Sequence, residues 1–315
     1  MSKPILGIDF GSGNVKLVLS DGNQIVKTVS VETPDKLVIN GVITSKEAMA
    51  DFLKEKMKEN DIKAKRCAIS ISSALSYVRT INVPKMTVDE LSVNLPYEFK
   101  DYIVQGKEKY NYDYSVISDD DNSMTLMACA ALKSDIIDLR EMCRVAGLKL
   151  VQVVPDEFSL KYLIEEKSNG EPVCVVDFGH QTTTVHMFKD NSYDTTRTID
   201  MGGFSIDQEI ADHLNIDEHI ARVNKETNHE NVMDLEVVKN IYTSICTEVM
   251  RAINFYNYGN AKGISKCYVC GGGANNKALI EELENTIGIK VEYLGKIYDS
   301  LDTNTHQYAY GATLM

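Results

Sequence analysis

The sequence predicts an α/β fold of two related halves flanking a cleft, with a small α+β insert in the first half. Two observations predict it. The run Ile5-Leu6-Gly7-Ile8-Asp9-Phe10-Gly11-Ser12 recurs as Val173-Cys174-Val175-Val176-Asp177-Phe178-Gly179-His180. Each copy leads through small polar residues into a second strand-type run, so each reads as a β-hairpin. Between the copies the chain runs strand, helix, strand, strand, helix, strand, the order of a compact α+β module.

The elements follow in order. Strands are expected at 5–10, 15–20 and 24–31, closed by turns at Gly11-Ser12-Gly13 and Asp21-Gly22-Asn23. Residues 45–58 carry Ala48, Phe52, Leu53 and Met57 at helical spacing. Residues 67–72 alternate as a strand, and 77–83 form another. Thr87 followed by Glu90 is a capping-box start for a helix expected to reach about Tyr102. Tyr110, Tyr112 and Tyr114 alternate along a strand and either receive a partner or form one wall of the insert's own core. Asp119-Asp120-Asp121-Asn122 reads as a solvated hairpin turn, 124–131 as the return strand, and 133–146 as a helix capped by Gly147. A strand at 149–154 and a helix at 156–167 lead into the second hairpin. A strand at 195–201 ends at Gly202-Gly203, and 204–214 is helical. Leu235, Val238, Ile241, Ile245, Val249, Ala252 and Phe255 mark a long amphipathic helix over 233–256. A strand ending in Gly271-Gly272-Gly273 opens a helix to Ile287, followed by a strand at 291–294 and a closing helix at 306–314.

Composition sets limits. A chain of 315 residues with 43% hydrophobic residues fits about two domains with full cores. Lys+Arg 33 against Asp+Glu 46 gives a net charge of -13, which argues against a nucleic-acid surface and against direct adhesion to anionic lipid. No segment has the length of a membrane span, and Met1-Ser2-Lys3-Pro4 runs straight into a strand, so no signal peptide and a cytoplasmic location are expected. The cysteines lie in apolar runs and read as reduced core residues. Cys267-Tyr268-Val269-Cys270 reads as buried thiols, because positions three apart on a strand face opposite ways.

The two turns point to phosphate chemistry. Gly11 lets backbone approach phosphate, Ser12 and Asn14 add donors, and Lys16 on the returning strand can reach a β- or γ-phosphate. In the second turn Thr182 and Thr183 supply hydroxyls beside Gly179. Asp9 and Asp177 are candidate ligands for Mg²⁺, held mostly through water. Gly271-Gly272-Gly273 permits close approach of an adenosine or phosphate. The chain reads as a nucleotide clamp.

These motifs, in this order, resemble those of the actin, sugar kinase and chaperone ATPase superfamily. Gly7 to Ser12 with Gly13, Asn14 and Lys16 is similar to its first phosphate motif, Asp177 to Thr183 to its second, and Gly271 to Ala274 to its adenosine motif. Gln307 to Leu314 fits its closing connector helix. Val78 to Met86, Glu90-Leu91, Pro96-Tyr97-Glu98 and Tyr102-Ile103 resemble the insert of the PilM family of type IV pilus assembly ATPases, cousins of FtsA. Arg197 to Gly203 resembles that family's strand ending in Gly-Gly, and Asn215 to Lys225 its nucleotide-proximal helix, with Arg222 where the family usually has an acid.

The resemblance implies duplicated actin-like (ribonuclease H-like) domains at 1–74 with 148–171 and 305–315, and at 172–304, with the insert at 75–147. It implies ATP and Mg²⁺ as cofactors, with contacts from Gly203 and Lys225, and slow ATP hydrolysis at most. Asp156 sits where the superfamily often places the acid that orients the attacking water; Glu157 beside it is the alternative, and Asp156 as a plain helix cap is the other. The partner implied is the short N-terminal peptide of a PilN-like membrane protein, which would recruit the chain to the inner face of the cytoplasmic membrane. Self-association is a further expectation, and neither nucleic acid nor direct membrane insertion is expected. An FtsA-like division protein is the first alternative; the sequence shows no linker and basic amphipathic helix of the kind that anchors FtsA. A small-molecule kinase is the second, though no sugar-binding set of Asn, Asp and His surrounds Asp156.

Overall fold

The two hairpins open two sheets of the same strand order. A computed structural model describes residues 4–22, 24–190, 192–297 and 304–314. Met1, Ser2, Lys3, Asn23 and Met315, which figure in the expectations above, lie outside the described residues. The first half begins with β1 (Ile5–Phe10), β2 (Asn14–Asp21) and β3 (Gln24–Glu32). A short ladder of β4 (Val38–Ile39) and β5 (Val42–Ile43) precedes α1 (Lys46–Glu59) and β6 (Arg66–Ile71). The insert contributes β7 (Ser76–Pro84), α2 (Val88–Glu98), β8 (Tyr110–Asp119) and β9 (Ser123–Leu132). Next come α3 (Lys133–Val145), β10 (Lys149–Pro155) and α4 (Asp156–Ser168).

The second half repeats the opening with β11 (Val173–Phe178), β12 (Thr183–Lys189) and β13 (Ser192–Ile199). It continues through α5 (Gly203–Leu214), α6 (Glu218–Thr227), α7 (Glu236–Gly259), β14 (Lys266–Cys270), α8 (Lys277–Ile287) and β15 (Val291–Tyr293). The closing helix is α9 (Gln307–Gly311).

The first sheet runs β3-β2-β1-β6-β10 and the second β13-β12-β11-β14-β15. In each, the hairpin is antiparallel, while the next two strands run parallel to the first strand of the hairpin. The duplication seen in the motif therefore extends to the topology. The chain divides into two compact units. One runs to Gly170 and includes Lys189–Asp194 and the segment from His306; the other takes Glu171–Phe188 and the stretch from Thr195.

Each sheet has its own core. In the first unit Leu6, Ile8, Val15 and Leu17 pack with Met49, Leu53 and Met57 of α1. The buried stripe of α1 is Met49, Ala50, Leu53 and Met57, so Ala48, expected to face inward, lies on the outer side. Ser45 caps this helix by accepting the Ala48 N–H. Strand β6 does not alternate as expected; Cys67 to Ile71 are buried on both faces, as suits a parallel strand between two others. Gly7 is required where α9 crosses β1, because a Cβ there would run into the Ala309 carbonyl. In the second unit Cys174, Val176, Val185 and Met187 pack with Ile245, Val249 and Ile253 of α7.

The insert closes a core of its own. Its sheet runs β7-β9-β8, and Ile81, Val83, Leu126 and Ala128 pack under Leu91, Leu95 and Phe99. The Thr87–Glu90 capping box is formed. The helix ends at Glu98, short of the expected Tyr102, with Pro96 in its last turn. Tyr110, Tyr112 and Tyr114 pack half-buried against this core. Helix α3, expected within the insert, instead presents Leu139, Met142 and Cys143 to the first sheet's core beside α1.

Candidate functional site

In the first unit the site is assembled at the carboxyl ends of the parallel strands β1, β6 and β10, where open α/β sheets commonly take ligands. Asp9 lies one residue before the end of β1 and faces Lys16 across the hairpin. The Lys16 Nζ donates to Asp9 Oδ2 at 3.0 Å, and both side chains are largely buried. Gly11 leaves the space the ammonium occupies: a Cβ there would come within 2.7 Å of Lys16 Nζ. Thr33, just past the end of β3, braces the turn from behind. Its hydroxyl donates to the Gly11 carbonyl at 2.7 Å and its N–H to the Gly13 carbonyl at 3.0 Å. Gly13 is buried in this brace, whereas Gly11, Ser12 and Asn14 remain partly accessible.

On β6, Ser70 lies beside Asp9 in the parallel register. Its hydroxyl donates to Asp156 Oδ1 at 2.6 Å and lies 3.1 Å from the Ser159 hydroxyl. Asp9, Ser70, Ser72 and Asp156 share one pocket, walled on its apolar side by Ile43, Leu75 and Leu139. Asp156 is the first residue of α4, with Pro155 in the cap position. Glu157 points elsewhere: it is buried, its Oε2 has no hydrogen-bond partner, and burial pushes its carboxyl up to about 7. Ser70, Ser72 and Thr33 were not legible as site residues, because they come into play through strand pairing and loop return rather than through a local motif.

In the second unit Asp177 faces Thr184 across its hairpin, the register position that Lys16 holds in the first. The expected Thr183 hydroxyl is not available to phosphate. Thr183 is fully buried and donates to the Met201 carbonyl at 2.9 Å. Thr184, one residue on, shares the face of Asp177. Counting residues back from the turn of the hairpin would have found it.

The glycine triplet packs directly on this aspartate. Gly271 has φ 86°, and a Cβ there would collide with Asp177 Oδ1. A Cβ at Gly273 would approach Phe178 Cβ to 2.7 Å, while Gly272 faces open space. The triplet does not open α8 as expected. A 3₁₀ turn at Gly272–Asn275 intervenes, and Asn276 caps the helix by accepting from Ala278 and Leu279.

Helix α5 starts against the second turn. The Gly203 N–H donates to the Gly179 carbonyl at 3.0 Å and the Phe204 N–H to the His180 carbonyl at 2.7 Å. Gly203, expected to contact a cofactor, thus has its amide engaged by the turn. The Gly179 N–H closes the same turn on the Thr182 carbonyl at 3.0 Å. Lys225 reaches from α6 to the Gly203 carbonyl at 2.8 Å and pairs with Asp207 Oδ1 at 2.6 Å. Burial pushes the Asp207 carboxyl up and the Lys225 amine down, each partly offset by the other's charge.

Among the described residues no group of three His, Cys, Asp or Glu side chains is placed to hold a metal ion. Magnesium fits such an arrangement, since it binds through one or two carboxylates, water and phosphate rather than an all-protein cage. The cysteines are free thiols, and Cys267 and Cys270 are buried in β14.

The model sequence of the type IV pilus assembly protein PilM family matches residues 7–304. The chain belongs to the PilM family. Of solved structures, the PilM-PilN type IV pilus biogenesis complex superposes with a TM-score of 0.84 at 21% identity, over 98% of this chain and 97% of that one. The ethanolamine utilization protein EutJ from Carboxydothermus hydrogenoformans follows at 0.65 and 17%, over 98% and 88%. MreB of Spiroplasma citri bound to AMPPNP aligns at 0.56 and 13%, over 99% and 95%. At these identities the likeness establishes the fold, which is actin-like. No curated protein matches the sequence. Among the described residues no helix is long and apolar enough to cross a membrane. The family read from the insert motifs and the duplicated Asp-Phe-Gly hairpins is the one found.

Proposed function

We propose that this PilM-family protein is an ATP-binding scaffold of type IV pilus assembly. In this reading it docks the short N-terminal peptide of a PilN-like membrane protein and so works at the inner face of the cytoplasmic membrane. The observation that carries the ATP-binding part is the repeated placement of an aspartate two residues before the glycine that leads the turn, at the same position of two sheets with the same strand order.

The first turn takes phosphate through Gly11, Ser12 and Asn14. Lys16 would exchange its Asp9 partner for a phosphate oxygen, and the Asp9 carboxylate so freed would help to hold Mg²⁺. The second turn contributes Gly179, Thr182 and Thr184, and Asp177 serves as the second carboxylate. Mg²⁺, when bound, offsets the phosphate charge. The open face of Gly272 and the Lys225 ammonium serve the nucleoside end. Asp156, which accepts from Ser70, would orient a water, and slow hydrolysis at most is required of it. The partner assignment rests on the family and on the PilM-PilN complex sharing this fold. The insert offers half-exposed Tyr77 and Tyr102, their rings tilted against each other with centroids 5.5 Å apart, as part of a receiving surface.

Calorimetric titration with Mg·ATP tests the reading. Each charge-assisted hydrogen bond is worth about 1.5–3 kcal/mol, so Lys16→Met and Asp9→Ala should each weaken binding roughly 10- to 100-fold. Unchanged affinity in both variants would mean that nucleotide binds elsewhere, and no binding by the natural chain would overturn the reading outright.

A further inference from the structure

The second turn is held by groups outside its own motif. Helix α5 takes two of the turn's carbonyls through the N–H groups of Gly203 and Phe204. A side chain is excluded at Gly202, where a Cβ would lie 2.6 Å from the His180 carbonyl. The carbonyl of Gly203 accepts from Lys225 Nζ at 2.8 Å. Asp207 stands four residues beyond Gly203, on the same face of α5, and meets the same ammonium at 2.6 Å. Asp207 is 1% exposed, and neither of its oxygens has a hydrogen bond of good alignment. Its nearest compensating charge is Lys225, with Arg222 contributing less. A buried carboxylate in that position is costly unless its partner is useful.

We propose that Asp207 is a positioning residue for the nucleotide site: by holding the Lys225 ammonium against the Gly203 carbonyl it ties α6 to the first turn of α5, and through it fixes the Gly179–Thr182 turn. An ammonium has three donors. The Gly203 carbonyl takes one of them at 2.8 Å, Asp207 holds the ammonium by charge at 2.6 Å, and a donor is left that could serve the ligand. The link to ligand binding rests on the ATP-binding reading; the bracing of the turn does not.

Two measurements separate these parts. In amide hydrogen exchange without nucleotide, Asp207→Asn should speed exchange at Gly203 and Phe204 by about tenfold or more while α7 keeps its protection, and Asp207→Glu should return them to within about threefold of the natural chain. In titration with Mg·ATP, Asp207→Asn should raise Kd about tenfold, whereas adding Asp207→Asn to Lys225→Met should change Kd by less than about twofold, because Asp207 acts through Lys225. If Asp207→Asn fails to fold, Lys225→Gln carries the exchange measurement with the same expectation. Unchanged exchange at Gly203 and Phe204 overturns the bracing role. Unchanged affinity in Asp207→Asn, or additive losses in the double variant, overturns the link to the ligand. If the natural chain binds no Mg·ATP while exchange still quickens in Asp207→Asn, the ATP-binding reading fails and the brace stands.

Discussion

Lys16 and Asp9 form a largely shielded ion pair at 3.0 Å, and in the same unit the adjacent carboxylates Asp156 and Glu157 meet opposite fates. Asp156 receives a hydrogen bond from Ser70 in the pocket. Glu157 is carried into the interior by the next step of α4, and burial raises its carboxyl to about 7 from an ordinary 4.5. The folded chain therefore holds that proton more tightly than the unfolded chain does. The stability this gives is full below about pH 4.5 and is lost as pH rises through about 7. A shift of this size corresponds to roughly 3 kcal/mol at most. His186, buried and pushed down to about 3, acts in the opposite sense, losing stability as pH falls below its ordinary 6.5. Denaturant titrations of the natural chain and Glu157→Gln at several pH values isolate the carboxyl. The difference between the two should change by about 2–3 kcal/mol in favour of the variant between pH 5 and 8. A difference that stays constant over that range would show that Glu157 ionises normally.

At the scale of elements, the glycine triplet shows how one motif serves two ends. Gly271 adopts φ 86° with Asp177 against it, whereas Gly272 faces open space. Gly271→Ala should cost well over the ~1 kcal/mol of a positive φ, because the added methyl also displaces the Asp177 carboxylate. Gly272→Ala should leave stability within about 0.5 kcal/mol. If Gly272→Ala keeps the fold and lowers Mg·ATP affinity, the open face is where the ligand approaches. Equal destabilisation by both would show that the triplet is wholly structural. Much at this scale was legible in the sequence. Thr87–Glu90 announced α2, Gly147 with its φ of 83° closed α3, and both Asp-Phe-Gly hairpins formed where expected. What was not legible depended on register or on tertiary company. Whether Thr183 or Thr184 shares a face with Asp177 is decided by the length of the turn, and a shift of one residue reverses the face. Ser70 becomes a site residue through its pairing with β1. Helix α3 reads as part of the insert by chain order, yet its apolar stripe is satisfied by α1.

For the whole molecule, the duplicated sheet order and the charge of -13 point to different sides of function. The first is the basis for proposing a nucleotide; the second bears on how an acidic chain would reach a membrane. Each basic residue near an anionic surface contributes about 1 kcal/mol of attraction, and this chain carries a net excess of acid. Direct adsorption to vesicles rich in phosphatidylserine should therefore be negligible at physiological salt. The same vesicles displaying the N-terminal peptide of a PilN-like protein should bring the chain down on sedimentation. Anionic vesicles without peptide serve as the control for charge, and neutral vesicles with peptide as the control for lipid. Sedimentation with the bare anionic vesicles would mean that a local basic patch outweighs the net charge, and the partner would then be unnecessary for recruitment. Failure to sediment with either peptide-bearing preparation would remove the docking part of the proposed function while leaving the ATP-binding part, which is tested at Asp9 and Lys16, to stand by itself.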